Sequence, residues 1–181
     1  MLNKKSELLF TRRTQLRRFI PKDLDESYEW MNDEKIKKFA NEFYAQSKEQ
    51  ANKKIKDYIE SEDKNLDYNW LIILKKNDQA IGEAKANNIN EDEKSIDLSL
   101  AINSKFKNRG YATEVISKLL EFFFTEVGAE KVRTYSDIDN ESWQEVLKKL
   151  NFRQISKKGS TIYYEITNIS YMTLFSVFGE I

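Results

Sequence analysis

The sequence predicts an α/β (α+β) fold on a mixed, largely antiparallel sheet. Three observations lead there. Strand-like and helix-like segments alternate along the chain; a strand, a strongly amphipathic helix and another strand follow one another between Ser95 and Ser136; and strand-like segments rich in Ile, Tyr and Phe close the chain. A strand-helix-strand succession implies a parallel pair with a right-handed crossover.

Taken in order, Leu8 to Ile20 reads as a first strand ended by Pro21, the only proline. From Asp23 to Phe43, Leu24, Tyr28, Trp30, Met31, Ile36, Phe39, Ala40 and Phe43 recur near helical spacing, and Asn32-Asp33 divides the run into two short helices. A third helix is expected from Ser47 to about Glu60, with Ser47 as N-cap and Gln50 reaching back in a capping-box pattern. Past a charged loop at Ser61 to Asn65, Trp70 to Leu74 and Ala80 to Ala84 form a hairpin turned at Lys76-Asn77-Asp78. A polar loop, Asn87 to Lys94, leads to the strand Ser95 to Ile102. Gly110 to Val127 is the strongest helix pattern, with an apolar stripe of Val115, Ile116, Leu119, Leu120, Phe123 and Phe124 and a stop at Gly128. Lys131 to Ser136 is a strand and Asn140 to Leu150 an amphipathic helix. Phe152 to Ile155, Thr161 to Thr167 and Tyr171 to Phe178 read as closing antiparallel strands.

Length and composition narrow the function. The 181 residues suit one domain, taken as 1–181, and 40% hydrophobic with 33% charged residues supports a real core. Lys plus Arg and Asp plus Glu are equal at 30 each, so no overall field draws the chain to nucleic acid or an anionic membrane. With no Cys and no His, thiol nucleophiles, disulfides, imidazole bases and the common zinc sets are excluded, and no metal is expected. The apolar run Leu8-Leu9-Phe10 is too short for a signal-peptide core or a span, which makes the expected setting cytoplasmic.

The informative stretch is Lys105-Phe106-Lys107-Asn108-Arg109-Gly110-Tyr111-Ala112-Thr113-Glu114, a basic loop between an apolar strand and the strongest helix. A helix start offers unpaired N–H groups and partial positive charge, and Lys105, Lys107 and Arg109 add cations. Gly110 lets the backbone approach an anion closely, and Ala112 keeps the next turn small.

Lys107-Asn108-Arg109-Gly110-Tyr111-Ala112 resembles the pyrophosphate loop of the GNAT acetyltransferase superfamily, which runs Gln or Arg, two residues of any kind, Gly, any residue, then Gly or Ala. Lys107 is the departure, and it keeps a donor. The likeness is nearest to the ribosomal-protein N-terminal acetyltransferase type. It extends through Leu16-Arg17-Arg18-Phe19 with Asp23-Leu24, Trp30-Met31-Asn32-Asp33, Ile81-Gly82, Asp97-Leu98-Ser99-Leu100, and Asn140 to Leu150-Asn151-Phe152. Asn151 stands where the family has glycine, and Asn tolerates a left-handed backbone.

The resemblance implies a sheet of about seven strands, four to five helices and a splayed parallel pair at Ser95–Ile102 and Lys131–Ser136. It implies acetyl-CoA (coenzyme A) as cofactor, held by Lys107, Asn108, Arg109, Gly110, Tyr111, Ala112 and Thr113, by the backbone of Leu100, Ala101 and Ile102, and by Asn140. The reaction would be direct attack of a primary amine, on a peptide or a small molecule, on the thioester. Relatives with a tyrosine acid carry it where Leu147 stands here, so that role does not transfer. Ser142 is read as the N-cap of its helix or a catalytic group, and Asp97 as a strand-edge residue or a base. Trp30, Phe39, Phe43 and Tyr44 are either core or acceptor platform. Lys148 and Lys149 are candidates for the ribose phosphate.

The competing reading is a CoA-binding module that is weakly active or inactive and serves as a sensor or interaction domain. Nucleic acid is not an expected partner, because the basic cluster has no second basic patch with interleaved aromatics. Nor is a membrane. The expected assembly is a monomer or a homodimer, the latter through the apolar tail from Tyr171 to Phe178.

Overall fold

The computed structural model describes residues 8–64 and 67–178; the chain's first seven residues and Asn65 of the charged loop lie outside them. Eight strands form one sheet: β1 (Leu9–Phe10), β2 (Thr14–Arg17), β3 (Tyr68–Leu74), β4 (Ala80–Asn90), β5 (Ser95–Ile102), β6 (Lys131–Asp137), β7 (Arg153–Lys158) and β8 (Thr161–Thr167). Their order is β1-β2-β3-β4-β5-β6-β8-β7. Only β5 and β6 run parallel; every other neighbouring pair is antiparallel.

The helices are α1 (Leu24–Met31), α2 (Glu34–Phe39), α3 (Lys48–Asp63), α4 (Tyr111–Glu121), α5 (Glu141–Lys149) and α6 (Asn168–Phe178). They cover the sheet on both faces, which is why all seven residues of β3 are buried. Alternation divides that strand: Leu71 and Ile73 join Phe19, Trp30, Met31, Ile36, Phe43 and Ile55 under α1 to α3. Trp70, Ile72 and Leu74 join Val115, Ile116, Leu119, Leu120, Leu147 and Phe152 under α4 and α5.

The strongest helix pattern does not stay α-helical. It continues from Phe122 to Val127 as a π-helix, in which Phe122 and Phe123 each meet Tyr68 and Trp70 with centroids 5.8–6.0 Å apart. Gly128 ends it with a left-handed φ of 78°, and the Ala129 N–H closes on the Phe123 carbonyl.

Several boundaries differ from expectation. The opening segment is a hairpin rather than one strand: the Thr11 hydroxyl accepts the Thr14 N–H at 2.9 Å, which turns the chain at Arg12-Arg13 and makes two strands, β1 and β2, of one expected. Helix α3 runs on to Asp63, through part of the charged loop, and β4 extends to Asn90, over the start of the polar loop. Ser47 caps α3 through its hydroxyl, which accepts the Gln50 N–H at 3.2 Å, but Gln50 Oε1 reaches one residue beyond the capping-box position and accepts the Gln46 N–H. The tail is a helix and not a strand: the Thr167 hydroxyl accepts the Ser170 N–H, and Tyr171 packs on Phe124, so capping and one aromatic contact outweigh β-rich composition.

Candidate functional site

The parallel ladder between β5 and β6 lasts from Ser95 opposite Lys131 to Asp97 opposite Arg133, and then the strands part. Beyond Asp97, β5 still pairs with β4, from Leu98 opposite Ala86 to Ile102 opposite Gly82. Its other edge has no strand partner among the described residues, so backbone groups between Leu98 and Ile102 face the gap. On the paired side the two backbones approach closely at Gly82, where a Cβ would stand 2.1 Å from the Ala101 carbonyl oxygen.

A cavity of about 310 Å³ fills the splay. Leu100, Ala101 and Ile102 form one wall, Thr134 and Tyr135 another, and Lys107, Asn108 and Gly110 to Thr113 the mouth. Ser142, Trp143 and Lys149 border it from α5 with the N-cap Asn140, and Lys35 and Phe39 border it from α2 with Glu42 from the turn that follows. Helix α5 is held there because the Trp143 indole N–H donates to the Tyr135 carbonyl at 3.0 Å and the Gln144 amide donates to the Asp137 and Ile138 carbonyls.

At the mouth the backbone is left-handed at Asn108, φ 58°, and at Gly110, φ 79°. Gly110 caps α4 without any side-chain hydrogen bond, so the first N–H groups of the helix point outward uncapped. Lys107 is half-buried, and burial lowers its pKa, with Asp33 opposing and Lys35 adding to the shift. Uncapped N–H groups, a close-approach glycine and three lysines suit a polyanion such as a pyrophosphate.

The loop is secured from β1–β2. The Arg13 guanidinium lies 4.3 Å over the Tyr111 ring and donates to the Arg109 carbonyl at 2.9 Å. Glu114 accepts from the Thr11 hydroxyl, the Arg13 N–H and Arg13 Nε at 2.5–2.7 Å. Burial raises the Glu114 pKa, but these bonds and the Arg13 charge outweigh it, and the net shift is downward. Asp33, the N-cap of α2, accepts from the Lys35 N–H and from the Ser104 hydroxyl, tying the covering helices to the segment after β5.

A second cavity, about 610 Å³, opens on the other side of the splay and shares Glu42, Ser99, Thr134 and Tyr135 with the first. Asp97, Tyr58, Lys85 and Arg133 are among its walls. Its cations are engaged: Lys85 pairs with Asp67, and Arg133 with Glu93 and Glu165. Behind Tyr58 lies Glu83, 1% exposed, with Oε1 lacking any hydrogen-bond partner. Burial pushes this carboxyl well above its ordinary value, against the pull of Lys54, Tyr58 and Lys85. Burial, then Glu83, pushes the Tyr58 phenol up as well.

The residues expected to hold the cofactor converge on the first cavity, except that the exposed Arg109 turns its guanidinium over the Phe106 ring at 5.6 Å. Ser142 borders the same cavity but is not the N-cap; Asn140 is, and Ser142 sits inside the first turn with its hydroxyl 3.3 Å from Asn140 Oδ1. Asp97 stands apart in the second cavity, accepting from Asn88 at 2.9 Å. Trp30 and Phe43 are core, each 1% exposed, which rules out a platform role. Tyr44 packs at the edge of that core and borders neither cavity, whereas Phe39 reaches the first. Lys149 borders the cleft and Lys148 does not. Leu147 is fully buried. Asn151 adopts the left-handed turn its substitution for glycine requires, φ 64°. Arg13, Glu42, Tyr58, Glu83 and Tyr135 escaped the sequence reading. Only Glu83, an acid inside an apolar strand run, carried any signal.

A splayed parallel pair with an anion-suited helix start at its mouth defines an acyl-CoA-dependent N-acetyltransferase. Residues 13–153 match the family model described as the acetyltransferase (GNAT) domain, and the chain belongs to that family. Acyl-CoA use is general to it. A protein described as the uncharacterized N-acetyltransferase p20 of Bacillus licheniformis is 22% identical over 148 residues, covering 82% of this chain and 83% of that one. The fold is similar to that of a GNAT-family acetyltransferase from Bacillus anthracis, with a TM-score of 0.79, 18% identity and coverage of 90% and 99% of the two chains. It is also similar to that of the ribosomal-protein-S5-alanine acetyltransferase of Vibrio fischeri, with a TM-score of 0.74, 14% identity and coverage of 90% and 97%. Among the described residues no helix is long and apolar enough to cross a membrane.

Proposed function

We propose that residues 1–181 form one acyltransferase domain that moves an acetyl group from acetyl-CoA to a primary amine, on a protein N-terminus or a small molecule. The observation that carries this reading is the meeting of two cavities at the splay, through Glu42, Ser99, Thr134 and Tyr135. One has the anion-suited mouth, and the other gives a separate approach to the same point.

In this reading the N–H groups of Tyr111 to Thr113 hold the pyrophosphate, with Lys107, Asn108 and Gly110 completing the cradle. The free edge of β5 at Leu100 to Ile102 hydrogen-bonds the pantetheine arm as a strand would, and Asn140 holds it from the opposite side. When bound, the thioester supplies the carbonyl carbon for attack. A β5 backbone N–H meets the negative charge that develops on the carbonyl oxygen. The acceptor enters through the second cavity.

Incubation with acetyl-CoA and a mixture of primary amines, followed by mass spectrometry, tests the reading. Amine-dependent thiol release with one acetyl group gained by an amine is the expected result. Saturable acetyl-CoA binding with no transfer would point instead to a CoA-binding module.

A further inference from the structure

Among the described residues, Glu42 is the one carboxylate that lines both cavities. Its side chain accepts a hydrogen bond from the phenol of Tyr135, which also lines both. The bond reaches from the short turn Asn41–Phe43, after α2, to β6 on the far side of the splay. It therefore stands where an acceptor arriving through the second cavity first meets the contents of the first.

We propose that Glu42 receives the acceptor's amine and takes its proton, with Tyr135 as the positioning residue that orients the carboxylate; the proposal rests on the transfer reading above. A primary amine, with a pKa from about 8 for a peptide α-amino group to about 10.4 for a lysine-like alkylamine, arrives mostly as an ammonium at neutral pH and has no lone pair to give until a proton leaves. One N–H proton passes to the Glu42 carboxylate. The freed lone pair forms the C–N bond as the C–S bond breaks. A second N–H proton goes to the departing thiolate, leaving amide and thiol, and Glu42 returns its proton to water.

The other candidates lack this position. Glu83 is buried behind Tyr58 and lines neither cavity, Asp97 lines only the second, and Ser142 only the first. The groups that face Glu42 come from every element around it: Lys54, whose Nζ donates to the Glu42 carbonyl, Tyr58 and Glu83 behind, and Tyr135 in front with Tyr163 beyond it. Tyr58 and Glu83 are held toward their neutral forms by burial. Glu42 keeps an exposed side chain.

The test compares native protein, Glu42→Gln and Tyr135→Phe, using acetyl-CoA with spermidine, glucosamine and an unblocked alanine-initiated peptide as probes. Gln still accepts the Tyr135 hydroxyl, so a tether alone survives the first variant, whereas a proton acceptor does not. Glu42→Gln is expected to lose on the order of 10²- to 10⁴-fold in kcat at neutral pH, to recover activity as pH rises toward the amine's own pKa, where free amine forms without a base, and to keep the acetyl-CoA thermal shift. Tyr135→Phe is expected to lose less and keep the native pH profile. Native-like kcat and pH profile in Glu42→Gln would overturn the assignment. A native protein that acetyl-CoA does not stabilise, or that binds it and acetylates none of the three probes, would instead remove the transfer reading itself.

Discussion

Replacing Gly110 by Trp separates binding at the loop from ordinary loss of stability. Gly110 has φ 79°, and a Cβ there would touch Arg13 Nη2 at 3.4 Å. Any L-residue at this backbone position costs roughly 1–2 kcal/mol, so Gly110→Trp lowers the melting temperature before any ligand is present. Gly110→Ala carries the same backbone strain without the indole and is the proper control. Acetyl-CoA at about 100 times its dissociation constant stabilises native protein by roughly 2.7 kcal/mol. For 181 residues the unfolding entropy is about 0.4 kcal/mol per kelvin, so the expected shift is about 7 °C. Differential scanning fluorimetry reads it directly. The shift should be full in native protein, reduced in Gly110→Ala and absent in Gly110→Trp. An undiminished shift in Gly110→Trp would place the ligand elsewhere and refute the loop argument.

Three further outcomes follow from the packing. Gly82→Ala puts a methyl group against the Ala101 carbonyl and should cost roughly 1–3 kcal/mol in urea unfolding, with a weakened acetyl-CoA shift because Ala101 lines the cleft; unchanged stability and shift would contradict the close approach. Glu83 has a raised folded pKa, so its contribution is fully present below about pH 4.5 and is lost as pH rises toward the folded value. Glu83→Gln should therefore gain on native protein between pH 5 and pH 8, and a pH-independent difference would show an unshifted carboxyl. Glu114 has a lowered folded pKa, so its contribution is present above about 4.5 and fades as pH falls. Glu114→Gln should cost about 1–2 kcal/mol at neutral pH, with the gap closing in acid; an equal gap at both would contradict a bound carboxylate.

Local patterns carried much of the fold. In β5 the buried Ile96 and Leu98 alternate with the less buried Asp97 and Ser99, α4 shows its apolar stripe, and Gly128 and Asn151 take the left-handed turns that end helices. These features depend on neighbours within a few residues, which periodicity and backbone preference capture. The anion-suited loop was legible for the same reason: its unpaired N–H groups are consecutive backbone groups at one helix start, bordered by lysines.

What the sequence by itself determined, then, is the strand-helix-strand unit and the anion-suited loop inside it. The tertiary structure decided the rest. Only packing could turn the tail into a helix, bury Trp30 in the core and part Asp97 from the cleft. Only the sheet order could bring Glu42 to Tyr135, 93 residues on, and Arg13 to Glu114, 101 residues on. Contacts across such separations arise from strand order and the splay of a parallel pair, and nothing in the local sequence around either partner encodes the other.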